Sequence, residues 1–305
     1  MRQRREKISE SQKILVTGAT GNVGSLLIPK LTSLGAGVRT LTRDKSKAQG
    51  LEDAGVEVVI GNLEKPETLD AAFRGVGKVF LVTAPNPNQV IQARYGIEAA
   101  KRNGSPVIVR LSAGAVKDTP GALPRVSGQH AEIDNELRAS GLPYTILKPH
   151  FFMQNIMMAA QTVASDGVVY MAMQDGKTGM IDVRDIVDVA VTVLTEDGHE
   201  AKEYALTGPA SISFHDVAAG LSEALGKQID YVNVPVEAAR EGMVSMGFPE
   251  WMADAMGEYT TAFSQGYGDF ITDDVQLITG NPARKFGDFA RDFAQVFGGK
   301  VIQAA

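Results

Sequence analysis

Nine residues near the start of the chain, VTGATGNVG (Val16–Gly24), constrain the fold more than any other stretch, because glycine recurs at every third position between an apolar run and a helical one. KILVT (Lys13–Thr17) is short, apolar and β-branched, as suits a strand buried on both faces. From about Asn22, Val23, Leu26, Leu27, Leu31 and Leu34 recur at helical spacing until Gly35 and Gly37 stop the pattern. Strand, glycine turn and helix in that order let a backbone approach a pyrophosphate, whose charge meets free N–H groups and the helix dipole. An ordinary turn uses glycines too; the βαβ rhythm that follows favours dinucleotide binding.

That rhythm runs through VRTLT (Val38–Thr42), VEVVI (Val56–Ile60), KVFLV (Lys78–Val82), PVIVRL (Pro106–Leu111) and YTILK (Tyr144–Lys148), all predicted strands. Helix-compatible segments separate them, among them LDAAF before Arg74, QVIQARYGIEAAKRN and QHAEIDNELRAS. The implied fold class is α/β, a doubly wound parallel (Rossmann) sheet with right-handed crossovers. After Pro149 the rhythm changes. Predicted helices over Phe152–Ala164, Val183–Leu194, His215–Leu225 and Val236–Met246 mix with strand-like VVYMA, EYALTG and IDYVNV. These read as a smaller, discontinuous α+β lobe over the carboxyl edge of the sheet. The expected division is a tail over 1–10, an NAD(P)-binding domain over 11–150 with returning segments around 180–210, and a substrate-binding lobe from 151–179 and 211–305.

Composition narrows the function. At 305 residues the chain can bury a sizeable core. No apolar run reaches membrane-spanning length, and MRQRREKISE has no apolar signal-peptide core, so no membrane association is expected. With no cysteine there is no disulfide, thiolate nucleophile or Cys-based metal site, which fits a cytoplasmic location. No His or carboxylate cluster has metal-ligand spacing, so no metal is expected. A net charge of −6 argues against nucleic-acid binding. Locally the balance reverses: residues 11–50 hold six basic residues (Lys13, Lys30, Arg39, Arg43, Lys45, Lys47) against Asp44. Such a run suits either an anion or a solvated face.

The end of the second strand selects the cofactor, since an acid there grips a ribose diol and an arginine accommodates a 2′-phosphate. VRTLTRDKSK puts Arg43 at that end with Lys45 and Lys47 beyond it. NADP(H) is therefore favoured, and Asp44 leaves NAD(H) open.

Taken together, ILVTGATGNVG, VRTLTRDKSKA, VIGNLEKPETLDAAFRGV, SGLPYTILKPHFFMQN, MIDVRDIVDVA and GNPARKFGDFARDF resemble the NmrA-like branch of the atypical short-chain dehydrogenases/reductases. That branch includes NADPH-dependent quinone and dye reductases and redox-sensing regulators. Carried over by position, the resemblance implies that Thr17, Gly18, Thr20, Gly21, Asn22 and Val23 line the pyrophosphate. It implies Asn62 and Leu63 near the adenine, and Thr83, Ala84, Pro85, Ser112 and Ala113 towards the nicotinamide. The chain departs from the wider superfamily at the Tyr-x-x-x-Lys pair of carbonyl reductases. Aligning Asp134 with the usual acid of that helix puts Val126 at the Tyr place and His130 at the Lys place.

Candidate catalytic groups are therefore few. His130 is placed to hold the nicotinamide ribose or donate a proton, and its spacing from Asp134 permits a pair that favours imidazolium or a surface pair without chemistry. His150, just past YTILK, is a second candidate, or a polar residue packed in the turn. Tyr95 and Tyr144 read as packing residues, and Asp182 and Asp185 as capping and anchoring groups.

The missing tyrosine bears on the acceptor. Hydride delivery to a ketone makes a strongly basic alkoxide that needs a positioned acid. A quinone gives a phenolate-type anion with a conjugate-acid pKa of roughly 10, and a cationic dye simply loses its charge. The reading is an NADPH-dependent reductase of an electron-poor aromatic or quinone-like molecule. A non-catalytic NADP(H) sensor and a carbonyl reductase lacking the usual Tyr are the alternatives. Apart from Met1, every methionine lies between Met153 and Met256. Phe151, Phe152, Met153 and Met157 on one side, and Met243, Met246, Trp251, Met252 and Met256 on the other, are expected to line an apolar pocket for a small aromatic substrate. Core packing is the alternative for any one of them. The chain is expected to act as a monomer or homodimer.

Overall fold

The computed structural model describes residues 13–44, 49–114 and 123–298, so the tail at 1–10 and residues Lys45 and Lys47 lie outside the described residues. The elements run β1 (Lys13–Val16), α1 (Gly24–Ser33), β2 (Val38–Thr42), α2 (Gln49–Asp53), β3 (Glu57–Ile60), α3 (Asp70–Phe73), β4 (Val76–Leu81) and α4 (Gln89–Arg102). They continue with β5 (Val107–Leu111), α5 (Arg125–Ala139), β6 (Tyr144–Pro149), α6 (Ala160–Ser165), β7 (Val168–Met171), α7 (Val183–Thr195) and β8 (Lys202–Leu206). The last are α8 (Phe214–Leu225), β9 (Asp230–Asn233), α9 (Val236–Ser245), α10 (Glu250–Ser264), α11 (Asp274–Thr279) and α12 (Phe286–Asp292).

Seven strands form one sheet in the order β3-β2-β1-β4-β5-β6-β8, and β1 through β6 pair in parallel. The chain steps outward from β1 to β3, then returns to the other side of β1 as β4. That reversal opens a crevice beyond the carboxyl ends of β1 and β4, the position at which doubly wound sheets bind ligands. Thr17 ties the two ends together: its Oγ1 accepts the Val82 N–H at 2.7 Å and donates towards the Val82 carbonyl at 3.0 Å.

The apolar runs that predicted strands are strands, with ends shifted by one or two residues. EYALTG becomes β8, the seventh strand of the main sheet, within the stretch around 180–210 expected to return to the NAD(P)-binding domain. The first helix begins at Gly24, and its buried stripe is Leu27, Ile28 and Leu31. Leu26 and Leu34 are exposed instead, the first because it lies on the other side of Leu27 from Ile28, about 200° round the helix from it, and the second because it caps the helix end.

The chain divides into two compact units. One comprises Met1–Ser112, Gln129–Leu147 and Val187–Tyr204; the other comprises Ala113–Gly128, Lys148–Ile186 and Ala205–Ala305. The core of the first gathers Leu15, Phe73, Val79, Ile97, Ile108, Ile133 and Ile146 from sheet and helices. The second has its own core around Met153, Met173, Phe214, Leu221, Phe263, Phe289 and Phe297. It contains a parallel pair of short strands, β7 and β9. Asp182 caps α7 by accepting the Arg184 N–H at 2.8 Å, and Asp185 accepts the Arg284 N–H at 2.8 Å, so both carboxylates anchor structure.

Candidate active site

The glycine loop after β1 is shaped by contacts that allow no side chain. Gly18 has φ +69°, in the left-handed region where a Cβ is strained. A Cβ on Gly24 would stand 2.2 Å from the Gly18 carbonyl oxygen. Gly21 closes the turn by donating its N–H to that same carbonyl at 3.0 Å. The N–H groups of Ala19, Thr20, Asn22 and Val23 have no hydrogen-bond partner among the described residues, and α1 begins directly after them. Unpartnered amides at a helix N-terminus, on a loop free of side-chain bulk, fit a pyrophosphate.

The crevice beyond this loop is a cleft of about 280 Å³ in the first unit. Of the cofactor residues expected from sequence, Thr17, Gly18, Thr20, Arg43, Asn62, Leu63, Thr83 and Ala84 line it. Gly21, Asn22, Val23, Pro85, Ser112 and His130 are not on its wall; Val23 is buried as the residue preceding α1. Ala113 falls in the second unit. Asn86 and Gln92 line the cleft without having been singled out. The Asn86 amide donates to Gln92 Oε1 at 3.2 Å, and Gln92 donates to Glu64 Oε1 at 3.0 Å. Their sequence signal was polarity immediately after a buried strand and in the first turn of α4.

The basic run resolves residue by residue. Arg39 is buried, and its guanidinium donates to the Ala72 and Arg74 carbonyls at 3.0 and 2.7 Å and pairs with Glu57 at 2.8 Å. Lys13 also pairs with Glu57, and Lys30 pairs with Asp188. Among the described members of the run, Arg43 is the one that lines the cleft, where Asp44 stands beside it. The carboxyl of Glu64 is held below its ordinary range by hydrogen bonds from Asn88 and Gln92, with a smaller contribution from the charge of Arg43.

His130 does not pair with Asp134. Helix α5 turns both side chains into the protein, where Arg110, fully buried in β5, lies between them. Its Nε is 3.2 Å from Asp134 Oδ1, and its Nη2 donates to His130 Nδ1 at 2.9 Å. Ser112 Oγ donates to the other Asp134 oxygen at 2.7 Å. Burial, and then the neighbouring Arg110 charge, push the His130 pKa well below the ordinary histidine value. In place of either an imidazolium pair or a surface pair, the two alternatives open from the spacing, the structure has a buried, neutral ring. Arg110 itself is pulled down to about 10 by burial, against the opposing pull of Asp134.

His150 is packed in the turn after β6, in the second unit. Its Nε2 donates to the Gly268 carbonyl at 2.9 Å, and its Nδ1 accepts the Phe151 N–H at 2.7 Å. Burial pushes its pKa down to about 4, so neither nitrogen is left for proton transfer near neutrality. Val126, at the Tyr place, is a buried aliphatic side chain on α5.

The second unit holds an apolar cavity of about 510 Å³. Phe151, Met243, Met246 and Met256 line it, joined by Met158 and Met171. Met153 lies in the core, Met157 packs against that core, and Phe152 bridges to Ile181. Trp251 lies under the Arg125 guanidinium at 5.8 Å, and neither it nor Met252 reaches the cavity. Residues Met153–Ala159 form 3₁₀ turns rather than α-helix. A repeat of three puts Asn155 and Met158 on one face, which brings Met158 rather than Met157 to the cavity. No group of three or more metal-binding side chains occurs among the described residues, and no described helix is long and apolar enough to cross a membrane.

The model of the NmrA-like family matches residues 10–281. The chain belongs to the NmrA-like family. It is 40% identical over 286 residues to an NAD(P)H azoreductase of Xenophilus azovorans, covering 93% of this chain and 99% of that one. It is 30% identical over 256 residues to quinone oxidoreductase 2 of Escherichia coli, covering 83% of this chain and 88% of that one. The crystal structure of that E. coli quinone oxidoreductase with NADPH superposes with a TM-score of 0.84 at 27% identity, covering 92% of this chain and 99% of that one. The triphenylmethane reductase of Citrobacter sp., complexed with NADP(H), gives 0.81 at 27% identity over 92% of this chain and 99% of that one.

Proposed function

We propose that this NmrA-like protein is an NADPH-dependent reductase of electron-poor aromatic or quinone-like molecules. The observation that carries the reading is the cleft itself, where unpartnered loop amides and Arg43 offer the pyrophosphate and 2′-phosphate contacts that NADPH requires. The NADPH-dependent quinone oxidoreductase, the NAD(P)H azoreductase and the triphenylmethane reductase complexed with NADP(H), to which the chain is similar, support it. NADPH, when bound, supplies the hydride.

What the residues omit selects the acceptor. Val126 carries no hydroxyl, and His130 and His150 are neutral and hydrogen-bonded to their neighbours. An acceptor whose reduced form is a stabilised anion or an uncharged molecule is matched to such a site, and a simple ketone is not. The apolar cavity of the second unit suits the flat body of such a compound. A cytoplasmic location, on the cysteine-free composition, and no nucleic-acid partner, on the charge of −6, belong to the same proposal, together with a monomeric or homodimeric state.

The test is NADPH oxidation, followed by its nicotinamide absorbance, against quinones, azo and triphenylmethane dyes and simple ketones. Turnover confined to the quinones and dyes is expected. Turnover of ketones would favour a carbonyl reductase, and tight NADPH binding without turnover would favour a sensor. Arg43→Ala is expected to weaken NADPH binding by roughly 10- to 100-fold, the loss of one charged hydrogen-bonded contact, and to leave NADH binding unchanged. An unaltered NADPH-to-NADH affinity ratio would remove Arg43 from the 2′-phosphate site.

A further inference from the structure

Behind the cleft wall of the first unit, five buried residues stand in file. Asp134 meets Arg110 at 3.2 Å, and Arg110 meets His130 Nδ1 at 2.9 Å. His130 Nε2 lies 3.3 Å from Gln89 Nε2, which donates to the Thr83 carbonyl at 2.9 Å. Each of the five is at most 6% exposed, and Thr83 alone of them lines the cleft. Guanidinium only donates, so His130 Nδ1 accepts, and the neutral ring carries its hydrogen on Nε2.

That hydrogen faces the Gln89 amide, which has no orientation that satisfies every neighbour. With its nitrogen towards Thr83, two donors meet at 3.3 Å and Gln89 Oε1 has no partner among the described residues. With the amide turned over, Oε1 accepts from His130 but the Thr83 carbonyl loses its donor. The Thr83 hydroxyl is likewise buried without a partner among the described residues. The file therefore ends, at the cleft, in a residue whose hydroxyl has no hydrogen-bond partner among the described residues.

We propose that His130 and Gln89 are positioning residues for the nicotinamide end of the cofactor: His130, held by Arg110, orients Gln89, and Gln89 sets the hydroxyl and carbonyl of Thr83 to receive the carboxamide. A carboxamide donates and accepts side by side, so its N–H can reach the second lone pair of the Thr83 carbonyl while its oxygen accepts from the Thr83 hydroxyl. His130 acts from behind the wall, in place of the direct ribose contact expected from its position in the chain. The proposal rests on the NADPH reading above and can fail separately from it.

The experiment compares NADP⁺ with 2′-phospho-ADP-ribose, which has no nicotinamide, by calorimetric titration. His130→Ala and Gln89→Leu are each expected to weaken NADP⁺ about tenfold or more and to leave 2′-phospho-ADP-ribose within about twofold. His130→Asn, which offers Arg110 an acceptor and Gln89 a donor, is expected to recover most of the loss. In the wild type, nitrogen-15 spectra should show His130 as the Nε2–H tautomer, with shifts that move on adding NADP⁺ and not on adding 2′-phospho-ADP-ribose. This measurement stands even where a variant fails to fold. Equal loss of both ligands, no loss of either, or ring shifts that ignore the nicotinamide would overturn the proposal. A wild type that binds neither ligand would instead overturn the dinucleotide reading itself.

Discussion

Gly24→Ala is expected to raise the dissociation constant for NADPH by at least about 100-fold, an effect of about 2.7 kcal/mol. The added carbon would lie 2.2 Å from the Gly18 carbonyl oxygen and 2.9 Å from both Ala19 Cα and the Gly18 carbonyl carbon. All three are backbone atoms, so no rotamer change relieves the clash. The Gly18–Ala19 segment must move, carrying with it the amides offered to the pyrophosphate. Gly18 already holds φ +69°, which restricts the conformations open to it once displaced. Gly21→Ala is the control, because its Cβ would meet the Gly18 oxygen at 3.4 Å, an ordinary contact. NADPH fluorescence titration reports binding, and thermal unfolding separates a displaced loop from a lost fold. Gly21→Ala should melt within about 2 °C of the wild type. Wild-type affinity in Gly24→Ala would show that the loop binds without its present shape.

The features legible in the sequence were those set by a residue and its near neighbours. β-branched runs gave strands because a buried parallel strand selects such side chains whatever lies beside it. The glycine loop was legible for the same reason, since its positive φ and close contacts arise within seven residues. Arg39 and Arg43 show where that reasoning stops. They stand four apart in one basic run, yet Arg39 lies beside the end of α3 and satisfies carbonyls that the helix leaves open. Arg43 falls one residue past β2 and lines the cleft. Only the placement of α3 over β2 distinguishes them. His130 and Asp134 likewise show an ion-pair spacing that the fold overrides. Arg110, a charge inside the apolar run PVIVRL, was the signal that a buried partner had to exist. The methionine cavity was legible as a tendency of composition, and the 3₁₀ turns at Met153–Ala159 decided which methionines face it.

Acid should destabilise the protein through His150 in a window that its surroundings define. In the fold the imidazole is neutral, with its pKa pushed down to about 4 by burial beside Phe263 and Phe270. In the unfolded chain it protonates near 6.5. Between those values the unfolded chain binds the additional proton, so acidification favours unfolding. The stability that His150 contributes as a neutral group is present above pH 6.5 and is lost as the pH falls towards 4. At pH 4.5 the loss is on the order of 2 to 3 kcal/mol. His130, also neutral when buried, adds a loss of the same sign, and carboxylates titrate nearby, so the wild-type profile alone does not isolate the residue. The difference between wild type and His150→Asn does. Asparagine does not titrate, and the other groups contribute equally to both proteins where they do not contact the site. Urea unfolding at pH 7.5 and pH 4.5 should show the variant less stable at the higher pH, because the bonds to Gly268 and Phe151 are altered. It should also show the variant losing on the order of 2 to 3 kcal/mol less than the wild type on acidification. Equal losses in the two proteins would mean that His150 already binds its proton in the fold, which the Phe151 N–H donated to Nδ1 opposes.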